Sequence, residues 1–380
     1  MSVRTRMPAA LAAVAALSLL SGCEPCSRDS GTICTIAGTG KAALGGEKLQ
    51  ATATPLYLAE DVTAGSDGLL YVMDWNNHRV RRLNADGTLE TIIGSGELGD
   101  GQDGNALTVA LNHPTDVSFD PSGTMYLAAW HNSKVMRYDA ESGELVRVAG
   151  TGKRSFGGDN GPATEAILDL PVTVAFRDDG NMYIADQANA RIRMVDGAGV
   201  ITTVVGRGTH GFSGDNGPAI EAELKAPVGQ AASPAGKIVL DAQDNLIIAD
   251  SGNNRVRRVD AKTWTITTIA GVGGEPTGEA NVGGDNGPAT DAHLARPTDV
   301  AVGPDGSIYI ADTDNSCIRK VDPEGIIKTV AGICGQTGFD GDNGPATEAK
   351  LNRPFGIDVD ANGVLYIADT YNHRVRAVYP

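Results

Sequence analysis

Short apolar runs of four to six residues, alternating with polar positions, recur along the whole chain. One unit shows the pattern clearly. Thr115–Phe119 is an apolar run, followed by a turn at Asp120-Pro121-Ser122-Gly123 and a second run at Met125–Ala129. A loop carrying Asn132 leads to Lys134–Tyr138, and a turn at Ala140–Gly143 leads to Leu145–Ala149. Runs rich in Val, Ile and Tyr, joined by Asp-Gly or Asp-Pro turns, predict antiparallel strands in hairpin succession. Each unit therefore reads as four strands, with the first run innermost.

Six copies of one phrase mark the units: Tyr71–Val80, Tyr126–Val135, Tyr183–Ile192, Ile247–Val256, Tyr309–Ile318 and Tyr366–Val375. Their shared asparagines are Asn77, Asn132, Asn189, Asn253, Asn315 and Asn372, spaced by 55, 57, 64, 62 and 57 residues. A fixed period of this length means a repeat architecture. A lone four-stranded unit cannot bury both its faces, so the units are expected to pack radially as the blades of a propeller. The chain ends after only three strands of the sixth unit, while Thr32–Gly38 (TICTIAG) matches the fourth-strand pattern. The expected fold is all-β: a six-bladed propeller of four-stranded antiparallel blades, closed by the N-terminal strand so that no edge stays open.

Asn77-His78-Arg79-Val80 and Asn372-His373-Arg374-Val375 carry the signature of the NHL repeat, and the chain resembles that propeller family over residues 31–380. The resemblance implies the fold firmly and the function loosely. NHL propellers include RNA binders, extracellular sensor domains, segments of adhesion proteins and an amidating lyase. Repeat scaffolds host many unrelated activities.

The first residues form a separate segment. Arg4 and Arg6 precede an apolar run from Pro8 to Leu20 that ends in Leu20-Ser21-Gly22-Cys23. The run is too short to span a bilayer and has the order of an export signal. Its final box resembles a bacterial lipoprotein signal, which implies residues 1–22 as a signal peptide, Cys23 as the lipidated N-terminus and residues 23–30 as a tether. The expected location is the bacterial cell envelope, anchored to a membrane by lipid alone. Glu24 after the lipidated cysteine is compatible with outer-membrane delivery. Four further cysteines, Cys26, Cys34, Cys317 and Cys334, suit two disulfides in an exported chain. Cys317 opens a third strand and Cys334 follows the fourth strand of the same hairpin, so these two should pair, leaving Cys26 with Cys34.

A formal charge of −16, with no basic cluster, argues against nucleic acid as a partner. The loop phrase Gly-Asp-Asn-Gly-Pro-Ala recurs at 158–163, 214–219, 284–289 and 341–346. It lacks the ligand spacing of a Ca²⁺ loop and reads as a repeated blade cap. An Asp after strand two (Asp74, Asp186, Asp250, Asp312, Asp369) recurs in five units, with Ala129 in the second. A residue repeated in five blades is structural, and Asx-type bonding to loop backbone is its expected task.

Departures from the repeat are the candidates for function. The column where strand one enters the ring holds Asp61, Asp116, Thr173, Gly229, Asp299 and Gly356. Three carboxylates at one level of a narrow channel repel unless a cation or protons intervene. In the amidating lyase an Asp of this column helps hold Ca²⁺, so the resemblance implies Asp61, Asp116 and Asp299 as Ca²⁺ ligands; three solvated carboxylates around a water-filled channel is the other reading. That lyase's zinc histidines are absent, since the matching positions hold Thr115, Val172, Val228, Thr298 and Phe355. His78, His131 and His373 lie in loops expected to diverge. Trp75, Trp130 and Tyr371 sit in corresponding loops of neighbouring blades and suit a binding patch or inter-blade packing. No catalytic set stands out, which favours an extracytoplasmic binding or scaffold module for a protein, peptide or glycan. The alternative is a Ca²⁺-dependent lyase or lactonase working in the channel.

Overall fold

The computed structural model describes residues 26–229, 231–274 and 282–380. Cys23 and the signal segment lie outside them. Six antiparallel sheets are arranged as six blades. In the first, Ala59–Ala64 is innermost, followed outward by Leu70–Asp74, Arg79–Leu83 and Thr88–Ile93. Neighbouring blades bury their faces against each other. Tyr71 and Met73 of the first, for example, pack with Val117 and Leu127 of the second. This inter-blade packing is why no unit is stable by itself.

Ring closure is as expected from the repeat phase. Thr32–Ala37 pairs with Arg374–Val378, with Ile33 opposite Val378 and Cys34 opposite Ala377. The N-terminal strand thus completes the blade begun by the last residues of the chain. Both expected disulfides are present: Cys26–Cys34 holds the closing strand, and Cys317–Cys334 clasps the fifth blade with Cα atoms 5.0 Å apart.

Two details differ from the sequence reading. Each blade has a fifth, outermost strand of two residues, such as Gly161–Pro162 pairing with Ile201 and Val200. In four blades these are the Gly-Pro of the repeated loop phrase; in the first two they are Leu49–Gln50 and Gly104–Asn105. Pro lacks an N–H, and an outermost position is where the ladder tolerates it. A single 3₁₀ turn, Ala163–Glu165, follows. The second difference is in blade four. Its inner strand is Ile238–Leu240, displaced eight residues from the register that Val228-Gly229 would give. The 64-residue spacing between Asn189 and Asn253 reflects an insertion there, and the column residue of this blade is Lys237. Its carbonyl accepts a hydrogen bond from Ala249 N at 3.0 Å, and in blade five Asp299 stands opposite the equivalent Ala311.

Candidate functional site

The recurring Asp organises each blade. Asp74, Asp186, Asp250, Asp312 and Asp369 accept hydrogen bonds at 2.7–2.9 Å from the backbone N–H of Tyr57, Asp169, Lys225, Ala295 and Asn352 respectively. The shared Asn donates its amide to the same carboxylate, as Asn77 does to Asp74 at 2.9 Å. Behind each stands a buried arginine that the sequence reading did not single out: Arg81, Arg193, Arg257, Arg319 or Arg376. In four blades that arginine also pairs with the Asp of the loop phrase (Asp159, Asp215, Asp285 or Asp342). The loop phrase is therefore an anchor for arginine. Burial pushes each Asp of the recurring column up to about 6, against the lowering effect of these bonds. In blade two both partners are missing at once. Ala129 and Met136 are fully buried in place of Asp and Arg, and Asn132 Oδ1 itself accepts the Asn112 N–H at 2.9 Å.

At the centre of the ring the inner-strand column converges. Asp61, Asp116 and Asp299 are buried there with Lys237 and Glu60. Lys237 Nζ lies 2.9 Å from Asp61 Oδ2, 3.4 Å from Glu60 Oε2 and 3.7 Å from Asp299 Oδ2. Asp116 Oδ2 accepts from Ser118 Oγ, Thr173 Oγ1 and Val174 N. Asp299 accepts from Val300 N and Ile357 N. Gly356 completes the column because a Cβ there would stand 2.6 Å from Asp61 Cα. The positive charge that meets the channel carboxylates is thus a side chain of the insertion-bearing blade. Among the described residues, no group of three or more His, Cys, Asp or Glu is arranged to hold a metal ion.

Burial dominates the electrostatics. It pushes Glu60 up to about 8, and Lys237 lowers it only in part. Asp61 is raised well above its ordinary range by the same desolvation, with Asp299 and Glu60 adding to it. Asp299 moves up to about 6. Burial would lower Lys237, but the surrounding carboxylates hold it above its usual value. One ammonium cannot neutralise all these carboxyls, so the cluster retains protons at neutral pH. Asp358, close by, is pushed up to about 7 by burial.

Toward the strand one–two turns, the channel widens into a cavity of about 640 Å³. Asp61, Asp116, Asp299 and Asp358 line it, between walls that include Val117, Phe176 and Leu240. It opens on the face opposite the Asn loops.

On the Asn-loop face, the expected aromatic patch is reshaped. Trp130 is fully buried, with its indole N–H donated to Gln187 Oε1 at 3.1 Å, so this residue packs rather than presents. Trp75 is half-buried, and only Tyr371 is exposed, at 43%. The histidines correct the reading in the other direction. The loops converge, and His78, His113 and His131 form one cluster. His113 Nδ1 stands 3.1 Å from His131 Nδ1 and 2.7 Å from Asn112 Oδ1. Desolvation lowers His113 to about 3 and His131 to about 4, so both rings are neutral at pH 7. His373, in blade six, accepts the Leu58 N–H and stays apart from the cluster.

Comparison with known proteins agrees with this architecture. The teneurin NHL domain matches residues 30–213 and 239–338, and the NHL repeat matches residues 351–377. The break between the first two segments contains the blade-four insertion. Teneurin-4 of Homo sapiens is 31% identical over 347 residues, covering 83% of this chain and 12% of its own length. Teneurin-m of Drosophila melanogaster is 28% identical over 358 residues, 87% of this chain and 12% of its own. The chain therefore spans about an eighth of these relatives. Among solved structures, an auxiliary nutrient binding protein of Bacteroides thetaiotaomicron superposes with a TM-score of 0.63 at 16% identity, over 91% of this chain and 75% of that one.

Proposed function

The chain belongs to the teneurin-type NHL propeller family, and from that premise we propose a lipid-anchored, extracytoplasmic binding module whose channel takes a cationic group of a protein or peptide. The observation that carries this reading is the cavity itself. Scaffold residues repeat from blade to blade, whereas the cavity is built from departures: Asp61, Asp116, Asp299 and Asp358 at its polar end. Apolar walls with convergent polar groups are the usual make-up of a ligand pocket. Lys237 pairs with Asp61, Asp299 and Glu60, which leaves Asp116 and Asp358 facing the cavity to receive a lysine or arginine side chain or an N-terminal amine. The nutrient-binding neighbour supports a binding role in general terms. Lipidation at Cys23 would hold the module at the envelope surface, where such partners are met.

Two measurements test this. Calorimetric titration with a lysine-rich peptide and an equally long glutamate-rich one should give binding of the first alone. Asp116→Asn with Asp358→Asn should weaken it at least tenfold; equal binding of both peptides, or binding indifferent to the variant, refutes the channel reading. Separately, Cys23→Ala should move the protein from the membrane to the soluble fraction. Unchanged partitioning refutes the anchor.

A further inference from the structure

We propose that Asn112, His113 and His131 form a binding site for a first-row divalent metal ion, Zn²⁺ or Cu²⁺, on the face carrying the Asn loops. Three donor atoms from three side chains meet there. The edges of the triangle are 3.1 Å between the two Nδ1 atoms, 2.7 Å from His113 Nδ1 to Asn112 Oδ1 and 3.3 Å from His131 Nδ1 to Asn112 Oδ1. Donors bound at about 2.0–2.1 Å to one ion stand roughly 2.9 Å apart in octahedral and roughly 3.3 Å apart in tetrahedral geometry. The triangle has the dimensions of one face of such a polyhedron. Imidazole nitrogen with an amide oxygen suits Zn²⁺ and Cu²⁺ better than Ca²⁺ or Mg²⁺.

The rings are held in place before any ion arrives. His131 stacks on buried Trp130, with centroids 4.1 Å apart and planes at 19°. His113 lies 4.2 Å from the Trp75 ring and meets His78 edge-on at 4.5 Å. Its Nε2 faces Asn76 Oδ1 at 3.2 Å and its Nδ1 faces Asn112 Oδ1 at 2.7 Å, so an ion that takes the place of the proton on Nδ1 leaves an Nε2–H donated to Asn76. A second partner that fixes the tautomer is a regular feature of histidine metal ligands. Asn112 is positioned through its backbone N–H, donated to Asn132 Oδ1.

The repeat supplies an independent argument. His113 has a left-handed backbone, φ 55°, and so do Leu58, Leu170, Arg296 and Arg353 at the equivalent positions. The backbone there belongs to the scaffold, but the imidazole belongs to blade two alone. His131 likewise corresponds to Asn76, Ala188, Gly252, Asp314 and Tyr371 in the other blades. Neither histidine is needed to build a blade. All three residues are half-buried, so an ion can reach them from solvent and keep water or a partner's side chain on its remaining positions. The site lies on the face opposite the channel cavity and does not depend on the reading of that cavity.

Chelator-treated protein without a polyhistidine tag, titrated with ZnCl₂, should bind one equivalent. CuCl₂ should give an electron paramagnetic resonance signal split by two imidazole nitrogens. His113→Gln and His131→Gln should each weaken binding at least tenfold, and His373→Gln should leave it unchanged. Asn112→Asp, which adds a charged oxygen donor at the same place, should tighten binding about tenfold while the protein keeps its melting behaviour. Absence of a stoichiometric site, or affinity that survives loss of both histidines, overturns the proposal.

Discussion

Lys237 Nζ and Asp61 Oδ2 meet at 2.9 Å in the middle of the ring, each from a side chain almost wholly shielded from water. Asp299 and Glu60 lie within 4 Å of the same ammonium. Removing one partner of a buried ion pair costs about 3–5 kcal/mol, because the remaining charge loses its compensation. Lys237→Met should therefore destabilise the protein by about that amount in chemical denaturation. The same variant tests the role of cations. With Lys237 present, the melting temperature should not respond to Ca²⁺ or chelator. With methionine there, the uncompensated carboxylates should make it rise with Ca²⁺. A wild-type protein stabilised by Ca²⁺ would show that the ammonium does not fill the cation's place.

Lys237 also shows where the sequence is hard to read. Asp116 and Asp299 could be placed because each follows Pro-Thr, and strand one begins at that step. In blade four the Pro is Pro227, and the inserted residues carry the strand eight positions onward. Alignment by the Pro then selects Gly229 and misses the lysine. Only the lengthened spacing between Asn189 and Asn253 hints at the shift. The histidine cluster was hidden for a different reason. His113 precedes a strand-one Pro, whereas His131 lies in the loop after strand two, and sequence spacing carries no signal that these elements approach. The ring itself was legible, because the period, the turn residues and the phase of the terminal strands all record the same geometry.

The protonated channel predicts an inverted pH response. Glu60, Asp61, Asp299 and Asp358 all have folded-state values above their unfolded ones. The native state thus binds more protons than the unfolded chain, and stability falls as pH rises through the folded values. Below about pH 6.5 the lowered values of His113 and His131 work the other way, since unfolding lets those rings take up protons. Between pH 6.5 and 8 the carboxyls act with less opposition, and melting temperature should decline. Glu60→Gln mimics the protonated form and should flatten that decline. A stability that increases across this interval would contradict the placement of the protons.

The clasp on blade five has a calculable effect. Cys317 and Cys334 are separated by 17 residues. A loop of that size contributes about 3 kcal/mol in the chain-entropy model. Replacing both with serine should lower unfolding free energy by about that amount, and reductant should lower it further in the unmodified protein because it also opens Cys26–Cys34. Deleting residues 26–40 should have a larger effect, because it removes the closing strand and opens a sheet edge. An unchanged melting temperature after that deletion would mean that the ring closes by other pairings.

Blade two offers a test of how the scaffold arginines function. There Ala129 and Met136 stand together where the other blades have a buried Asp and Arg, both 0% exposed. Introducing either charge alone places an uncompensated ion in the core, which should cost several kcal/mol or shift the group to its neutral form. Asp103 occupies the place of the loop-phrase Asp and accepts the Arg147 N–H at 2.8 Å, so a new arginine would find one carboxylate nearby. Ala129→Asp should therefore be the more damaging single change, since it also displaces Asn132 Oδ1 from the Asn112 N–H. Ala129→Asp with Met136→Arg should recover part of the loss, with a favourable coupling of roughly 1–3 kcal/mol in a double-mutant cycle. Because Asn112 is also a proposed metal donor, the double variant should change Zn²⁺ affinity while the single Met136→Arg leaves it alone. Strict additivity of the two substitutions would mean that the Asp–Arg pairs in the other five blades are packing neighbours rather than energetic partners.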